Sequence, residues 1–353
     1  MSTPTVYDVA EQAGVSIATV SRVYRDPDRV KSTTRDKVLA AARELGYVPS
    51  GSARGLASGT TGVLGLCFPD YTDPDTDAEA GTDSVGGDDA MILYADQLIR
   101  GMEHAARRRG YALLISASLV GGAENLVSRM AGHVDGFAVM SRTASNEDLE
   151  VISRRLPVVV LAGPREIDRL DHIEVANHDG QYQLTRHLIT VHGLTGLAFV
   201  GGQADSPDAE ARFAGYRQAC QEAGLPVPDE PDIRAALTRA DGRAAVVTLA
   251  ARPDGLPQGL VLANDQMGVG AMEQLAALGV RVPQDIAVTG FDGIPLGRMV
   301  RPSLTTVRQP MRQMGEDAVD LLTTRLAGSE REPVSLMLPV SLALRESCGC
   351  TPN

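Results

Sequence analysis

Apolar residues recur at helical spacing in three short stretches at the start of the chain. Through the remainder they fall into short unbroken runs separated by amphipathic stretches. Val9, Ala10 and Ala13 share one face of a helix predicted over Val6 to Ala13, and Thr5 with Asp8 forms a T-x-x-D capping pair at its start. Gly14 then ends that helix, because glycine takes the left-handed conformation that a sharp turn needs. Val15 fills the angle, and Ser16 caps a second helix running through Tyr24 with Val20 and Val23 facing inward. A third helix is predicted from Ser32 or Thr33, where Thr33 and Asp36 repeat the capping pair. Val38, Leu39, Ala42 and Leu45 form its core stripe, Gly46 stops it, and Pro49 lies beyond.

The outer face of the second helix shows Ile17, Ala18, Ser21 and Arg22, which are small, apolar or hydrogen-bonding side chains. Such a face can lie against base edges in a major groove, with Arg22 suited to a guanine. A plainer reading of three short helices is a packing module or a partner-binding helical domain.

The runs in the rest of the chain are Val63 to Phe68, Ala112 to Ser118, Gly136 to Met140, Val158 to Gly163, Leu197 to Gly201, Leu260 to Asn264 and Ile286 to Phe291. They read as strands buried on both faces. The amphipathic stretches Leu98 to Arg109, Gly180 to Val191, Ala209 to Ala223 and Met267 to Leu278 alternate with them. This rhythm predicts parallel sheets covered by helices, arranged as two Rossmann-like lobes. Ligands of such sheets bind outside the carboxyl ends of the strands, where this chain places Asp70, Tyr71, Arg165, Asn177, Asn264, Asp265 and Asp292, with Arg212 opening a later helix. Carboxylates, amides and guanidinium groups in an apolar cleft suit a small polyhydroxy or nucleobase-like ligand, and a sugar is the leading reading. Taken singly, each of these residues is as well explained by a helix cap or an interlobe salt bridge. The chain has no Trp, so Tyr71 or Phe291 would have to serve as a stacking platform.

Charge separates the head from the body. Residues 1–60 hold eight Lys and Arg against six Asp and Glu, a net of +2, whereas the remainder carries −14, which together give the total of −12. A mildly basic head beside an acidic body weakens non-specific DNA binding, so two heads and base contacts are expected, with marked salt dependence. No apolar run is long enough to span a membrane and no signal peptide precedes the head, so a cytoplasmic protein is expected. Cys67 and Cys220 read as free core thiols. Cys348 and Cys350 form a C-x-C pair that could bind metal, but no second pair or suitably spaced His completes the set in sequence, and no metal or cofactor is expected.

Residues 70–89 carry eight acidic side chains and no basic one, and look like an insertion. The spacing of Asp73, Asp75 and Asp77 resembles a calcium loop, yet Ala78 stands where glycine is required and Ser84 where the bidentate Glu belongs, which favours a solvated loop. Enzyme classes fare poorly. The only lysines, Lys31 and Lys37, lie in the head, so the body holds neither a phosphate-loop nor a Schiff-base lysine, and neither HExxH nor GxSxG occurs. The GVG at Gly268 to Gly270 lacks the third glycine of a dinucleotide fingerprint, and helix packing explains it better.

The run YDVAEQAGVS-x-x-TVSRV, with RELGYVP and ARGLASG, resembles the LacI/GalR family of bacterial transcription regulators over nearly the whole chain. The resemblance implies an all-α helix-turn-helix head over residues 1–49 and a hinge over 50–60. It further implies an α/β body of two periplasmic-binding-protein-like lobes over 61–353. The first lobe would span about 61–184 and 308–338, the second about 185–307 and 339–353, with the chain crossing near Gln181 to Leu188, Val307 and Leu338. DNA contacts are expected from Thr5, Ser16, Ile17, Ala18, Thr19, Ser21 and Arg22 in the head and from Ala53, Arg54 and Leu56 in the hinge. Leu56 would wedge into the minor groove. The hinge composition agrees with folding on DNA, since Gly51 and Gly55 each cost about 1 kcal/mol in a helix, although a plain flexible linker has the same composition.

In the cleft the resemblance assigns effector binding to Arg212 of EARFAGYR, to Asn264 and Asp265 of the AND motif, and to Asp292. The chain departs from the family pattern at Arg25 and Ser50, where Asn is usual, at Ala176, where Asp is usual, and at Gly293, where a second acid is usual. The expected protein is therefore a homodimeric repressor of double-stranded operator DNA, controlled by a small effector. A purine- or metabolite-responsive corepressor-type regulator is the alternative. A solute-binding protein would share the body but would need an export signal and no head.

Overall fold

The computed structural model describes residues 4–48, 60–70, 90–119 and 130–351. Ala53, Arg54, Leu56, Tyr71 and the Asp73, Asp75 and Asp77 spacing lie outside the described residues. Two compact units divide the chain, Met1–Gly62 and Val63–Asn353.

The first unit packs α1 (Val6–Ala13), α2 (Ile17–Arg25) and α3 (Ser32–Leu45), with a 3-10 turn at Pro27–Arg29 before α3. The Asp8 carboxylate accepts from the Thr5 amide at 2.7 Å and the Thr5 hydroxyl at 2.8 Å, closing the expected capping pair. Gly14 sits at φ 64°, where the Val15 amide reaches the Ala10 carbonyl at 3.0 Å and turns the chain. Val9, Val20 and Val38 are fully buried, one from each helix, and Ala10, Val23, Ala41 and Ala42 fill the space between them. Tyr24 meets Tyr47 edge-on with centroids 6.2 Å apart. The second capping pair does not form. The residue before α3 is Lys31, with no side-chain cap, so Thr33 and Asp36 already lie inside the helix rather than at its boundary.

The second unit holds two six-stranded sheets. The first contains β1 (Val63–Asp70), β2 (Ala112–Leu119), β3 (Gly136–Met140), β4 (Val158–Leu161), β5 (Asp171–Val175) and β11 (Ser335–Leu338), in the order β11-β5-β4-β3-β1-β2 with every pairing parallel. The second contains β6 (Leu197–Gly201), β7 (Ile233–Arg234), β8 (Gly259–Leu262), β9 (Ala287–Asp292), β10 (Thr305–Arg308) and β12 (Ser341–Ala343), in the order β12-β10-β9-β8-β6-β7. Only β12 runs antiparallel to its neighbour there. Helices α4 (Ala90–Arg108), α5 (Asn146–Ile152) and α11 (Met311–Leu326) belong with the first sheet. Helices α6 (Asn177–His192), α7 (Pro207–Glu222), α8 (Arg239–Ala250), α9 (Asp265–Ala277) and the short α10 (Leu296–Met299) follow strands of the second or lead into it.

Both lobes are sandwiches of helix, sheet and helix. Leu64, Leu66, Leu98, Met102, Ile173 and Met314 form one core of the first lobe, and Phe137, Val139 and Leu149 lie in the core on its other side. Phe199, Leu260, Leu262, Met267 and Leu275 centre the second. Burial on both faces holds for most of the expected strands but fails for β2, whose Leu114 and Ile115 are 38% and 42% exposed. The reason is position: β2 pairs only with β1, at the sheet edge.

The chain passes between the sheets through α6, between β10 and β11, and between β11 and β12. These segments meet at Gly180, where an added Cβ would lie 2.6 Å from Val340 Cγ2 and 2.8 Å from Val307 Cγ1. Leu184, Phe291 and Val307 are fully buried beside this point. No helix among the described residues is long and apolar enough to cross a membrane.

Candidate functional site

In the first unit, Ile17, Ala18, Ser21 and Arg22 are exposed along one face of α2, opposite the buried Val20 and Val23. Ile17 is 39% exposed on this face. No acidic residue occupies the first turn of α2, so the positive field of its amide end stays available to phosphate. Ser16 Oγ accepts from the Thr19 amide at 3.2 Å and lies 2.9 Å from the Thr19 hydroxyl, and Thr5 is engaged with Asp8. Ser16, Thr19 and Thr5 thus set the helix termini. Tyr7, which the sequence pattern does not single out, is 67% exposed on α1, one residue past the capped start.

In the second unit, the polar residues beyond the strand ends separate into three groups. The first is centred on Arg212, inside α7 rather than at its opening, because that helix begins at Pro207. Its Nε donates to Asn177 Oδ1 at 2.9 Å and its Nη1 donates to the Ala263 carbonyl at 2.6 Å. The same Nη1 lies 3.3 Å from Asp292 Oδ1, and the guanidinium carbon sits 3.9 Å over the Phe291 ring. Phe291 therefore stacks on the arginine. Asn177 Nδ2 donates to Asp208 Oδ1 at 2.9 Å, and the Gly163 amide of the first lobe donates to the same oxygen at 3.1 Å. Gln309 Nε2 donates to Asp292 Oδ1 at 2.7 Å, and the Tyr94 hydroxyl lies 3.4 Å from Gln309 Oε1.

Asn177, Arg212, Asp292 and Gln309 are all buried, and they come from α6, α7, β9 and the end of β10. Burial pushes the Asp292 carboxyl up to about 6, with the Arg212 guanidinium and Gln309 amide pulling the other way. Burial also raises the Tyr94 phenol, helped by the charges of Asp292 and Asp208. Asp292 has φ 110°, a backbone conformation that costs about 1–3 kcal/mol outside glycine and is held here by its partners. Tyr94, Asp208 and Gln309 were not legible as site residues. Only the i, i+4 spacing of Asp208 and Arg212 offered a signal.

In the second group, Asn264 and Asp265 make their hydrogen bonds within the second lobe. Asn264 caps α9 by accepting from the Met267 amide at 2.9 Å and donates to the Leu237 carbonyl at 2.8 Å. Asp265 is fully buried, accepting from the Ile294 amide at 2.9 Å and the Thr306 hydroxyl at 2.5 Å, which ties α9 to β10 and to the segment after β9. Burial, with the nearby Asp292 charge, raises its carboxyl well above the ordinary range.

Arg165 forms a third group. It lines a cavity of about 400 Å³ together with Ser141, Arg142, Glu166 and His172 of the first lobe and Asp205 and Pro207 of the second. Arg165 donates to the Asp168 carbonyl, and its buried Nε makes no hydrogen bond but lies 3.9 Å from the Asp168 carboxylate. Across the rim, Arg142 pairs with Asp205 at 2.6 Å. The lining includes Pro207, next to Asp208, whose carboxylate joins the Arg212 cluster through Asn177.

Residues 5–50 match the family of bacterial regulatory proteins, lacI family, and residues 185–348 match a periplasmic binding protein-like domain. Catabolite control protein A of Priestia megaterium is 33% identical over 348 residues, covering 97% of this chain and 98% of that protein. The structure of the transcriptional regulator CelR–cellobiose complex aligns with a TM-score of 0.69 at 30% identity, over 98% of this chain and 99% of that one. The lac repressor dimer bound to operator and the anti-inducer ONPF aligns with a TM-score of 0.79 at 26% identity, again over 98% and 99%. With its helix-turn-helix head and two-sheet body, the chain belongs to the lacI family of bacterial regulatory proteins and is a DNA-binding transcription regulator.

Proposed function

We propose that this regulator is a homodimeric repressor of a pseudo-palindromic operator in the cytoplasm, and that a sugar or sugar-like effector bound between its lobes controls its affinity for DNA. The observation carrying the effector reading is the buried Arg212 cluster, in which Asn177, Asp208, Asp292 and Gln309 converge from four segments around one guanidinium. Bidentate donors and carboxylates at the carboxyl ends of two sheets match the vicinal hydroxyls of a sugar, each of which needs both a donor and an acceptor on burial. A relative of 30% identity solved with cellobiose supports the class.

In the head, Ile17, Ala18, Ser21 and Arg22 read base edges in adjacent major grooves, with Ser16 and Thr19 at the phosphate-facing end of α2. Leu56 wedges the centre of the site, flanked by Ala53 and Arg54. The effector acts by its different affinities for two arrangements of the lobes, which determine whether two hinges can meet and fold on DNA. Arg165 lies at the rim cavity and closes over the ligand, while Asn264 and Asp265 hold the frame.

The test is a thermal-shift screen of the full chain against sugars, sugar phosphates, polyols and nucleobases, followed by operator binding with each hit. A ligand at 100 times its Kd should stabilise by about 2.7 kcal/mol. A sugar that shifts the melt and alters operator binding supports the proposal. A nucleobase hit would replace the sugar, and a hit without any effect on operator binding would reject the control mechanism.

A further inference from the structure

The C-terminal tail is built into the second lobe. In the 3-10 turn Glu346–Cys348, the Ser347 hydroxyl donates to the Val288 carbonyl at 2.6 Å and accepts from the Thr305 amide at 2.8 Å. The Glu346 carboxylate accepts from the Ser303 amide and hydroxyl at 2.7 and 2.9 Å. These bonds fix the turn against β9 and β10. Gly349, between the two cysteines of the C-G-C sequence, has φ 99°, a conformation suited to glycine.

The cysteines meet two histidines that sequence spacing did not suggest. Cys350 Sγ lies 3.4 Å from both His187 Nε2 and His192 Nε2, and those two nitrogens are 3.2 Å apart. With Cys348 Sγ, the four donor atoms all lie within 4.8 Å of one another. The imidazole rings stand nearly perpendicular, at 76°.

We propose that His187, His192, Cys348 and Cys350 form a structural Cys2His2 zinc site. Zinc bonds of about 2.0–2.1 Å to nitrogen and about 2.3 Å to sulfur place tetrahedral ligands about 3.3 Å apart for N to N and about 3.5 Å for N to S. The observed 3.2 and 3.4 Å match both spacings. Soft thiolates with imidazoles select zinc over the oxygen-seeking cations. The Thr305 hydroxyl lies 3.1 Å from Cys348 Sγ and 3.0 Å from the Arg345 carbonyl, so its one proton can turn to the sulfur and supply the outer hydrogen bond that steadies a thiolate ligand. Four protein ligands leave no open position for substrate, so the ion acts as a clamp. It ties the tail to the far end of α6, the helix that begins with Asn177 of the effector cluster.

The experiment is a titration of the untagged, reduced and chelator-treated full chain with Co(II), then with Zn(II) in competition. One equivalent of Co(II) should give the intense absorption of a tetrahedral thiolate-bound ion, be displaced by Zn(II), and raise the melting temperature. Cys350→Ser combined with His192→Gln should remove that equivalent, whereas Cys220→Ser, at a buried thiol away from the site, should keep it. Absence of stoichiometric binding by the wild-type chain, or an octahedral spectrum without thiolate character, would overturn the site. Binding retained by the double variant would do the same. The wild-type titration decides even if the double variant fails to fold.

Discussion

Arg212 and Asp292 form an ion pair at 3.3 Å with both side chains less than a tenth exposed, on elements that reach the junction of the two lobes from different directions. Removing one member strands the other in low dielectric. Arg212→Ala should therefore lower stability by about 3–5 kcal/mol, read by urea unfolding at neutral pH. A loss below about 1 kcal/mol would show that water reaches Asp292 easily.

The same pair sets a pH dependence. Burial, opposed by Arg212 and Gln309, leaves the Asp292 carboxyl at about 6 in the folded chain, above its unfolded value near 3.8. The native state thus holds this proton more tightly than the unfolded state does. The contribution is fully present below the unfolded value and is lost as pH rises through about 6. Asp292→Asn removes the titration and suits the positive φ, so wild type should lose stability relative to the variant between about pH 4 and 7. The full difference approaches about 3 kcal/mol. Parallel stability profiles for the two chains would place Asp292 in a more solvated setting.

A second buried carboxylate behaves in the opposite sense. Asp171 is 2% exposed and accepts from Arg325 at 3.1 and 3.2 Å, from Arg331 at 2.9 Å twice, and from the Val334 amide at 2.8 Å. Burial alone would raise it, but these donors hold it below the ordinary value, so its stabilisation is present at neutral pH and is lost as pH falls through the lowered value. Asp171→Asn should destabilise the chain at pH 7 and have a smaller effect in acid. Equal effects at both pH values would assign the loss to packing.

Gly180 is the point where the interlobe crossings touch. An alanine there puts its Cβ 2.6 Å from Val340 Cγ2, so Gly180→Ala should cost about 1–3 kcal/mol and shift the lobes relative to each other. Melting temperature and the effector response should change together. A neutral substitution would mean that the crossings have room to move.

Arg22→Ala should weaken operator binding by about 1–3 kcal/mol while leaving binding to unrelated DNA nearly intact. Filter or anisotropy binding at one salt concentration checks it. An equal loss on both DNAs would make Arg22 a phosphate contact.

Much of this molecule was legible from short-range pattern. The helices of the head, their glycine stops, the Thr5–Asp8 cap and the main strands of both lobes follow from periodicities that involve neighbours within a few residues. Strands β7 and β12 were missed because they are only two and three residues long, and β5, β10 and β11 because polar residues interrupt their apolar pattern, as in the DHIEV of β5. The burial of β5 and β10 comes from the sheet around them and not from their own composition, while β7, β11 and β12 stay largely exposed or half-buried. The second capping pair was misread because a T-x-x-D signature fits a helix interior as well as a start.

The sequence by itself determined the class of protein: a helix-turn-helix DNA-binding head, a two-lobed body and polar residues at the strand ends, set by local motifs, hydrophobic periodicity and turn chemistry. Only the tertiary structure decided which of those polar residues meet. Arg212 joins Asn177 and Asp292, while Asn264 and Asp265 make their hydrogen bonds within the second lobe, and Cys350 reaches His187 and His192 across some 160 positions of chain. The physical reason is that contact between residues far apart in sequence depends on how the lobes pack, and no spacing along the chain encodes that distance.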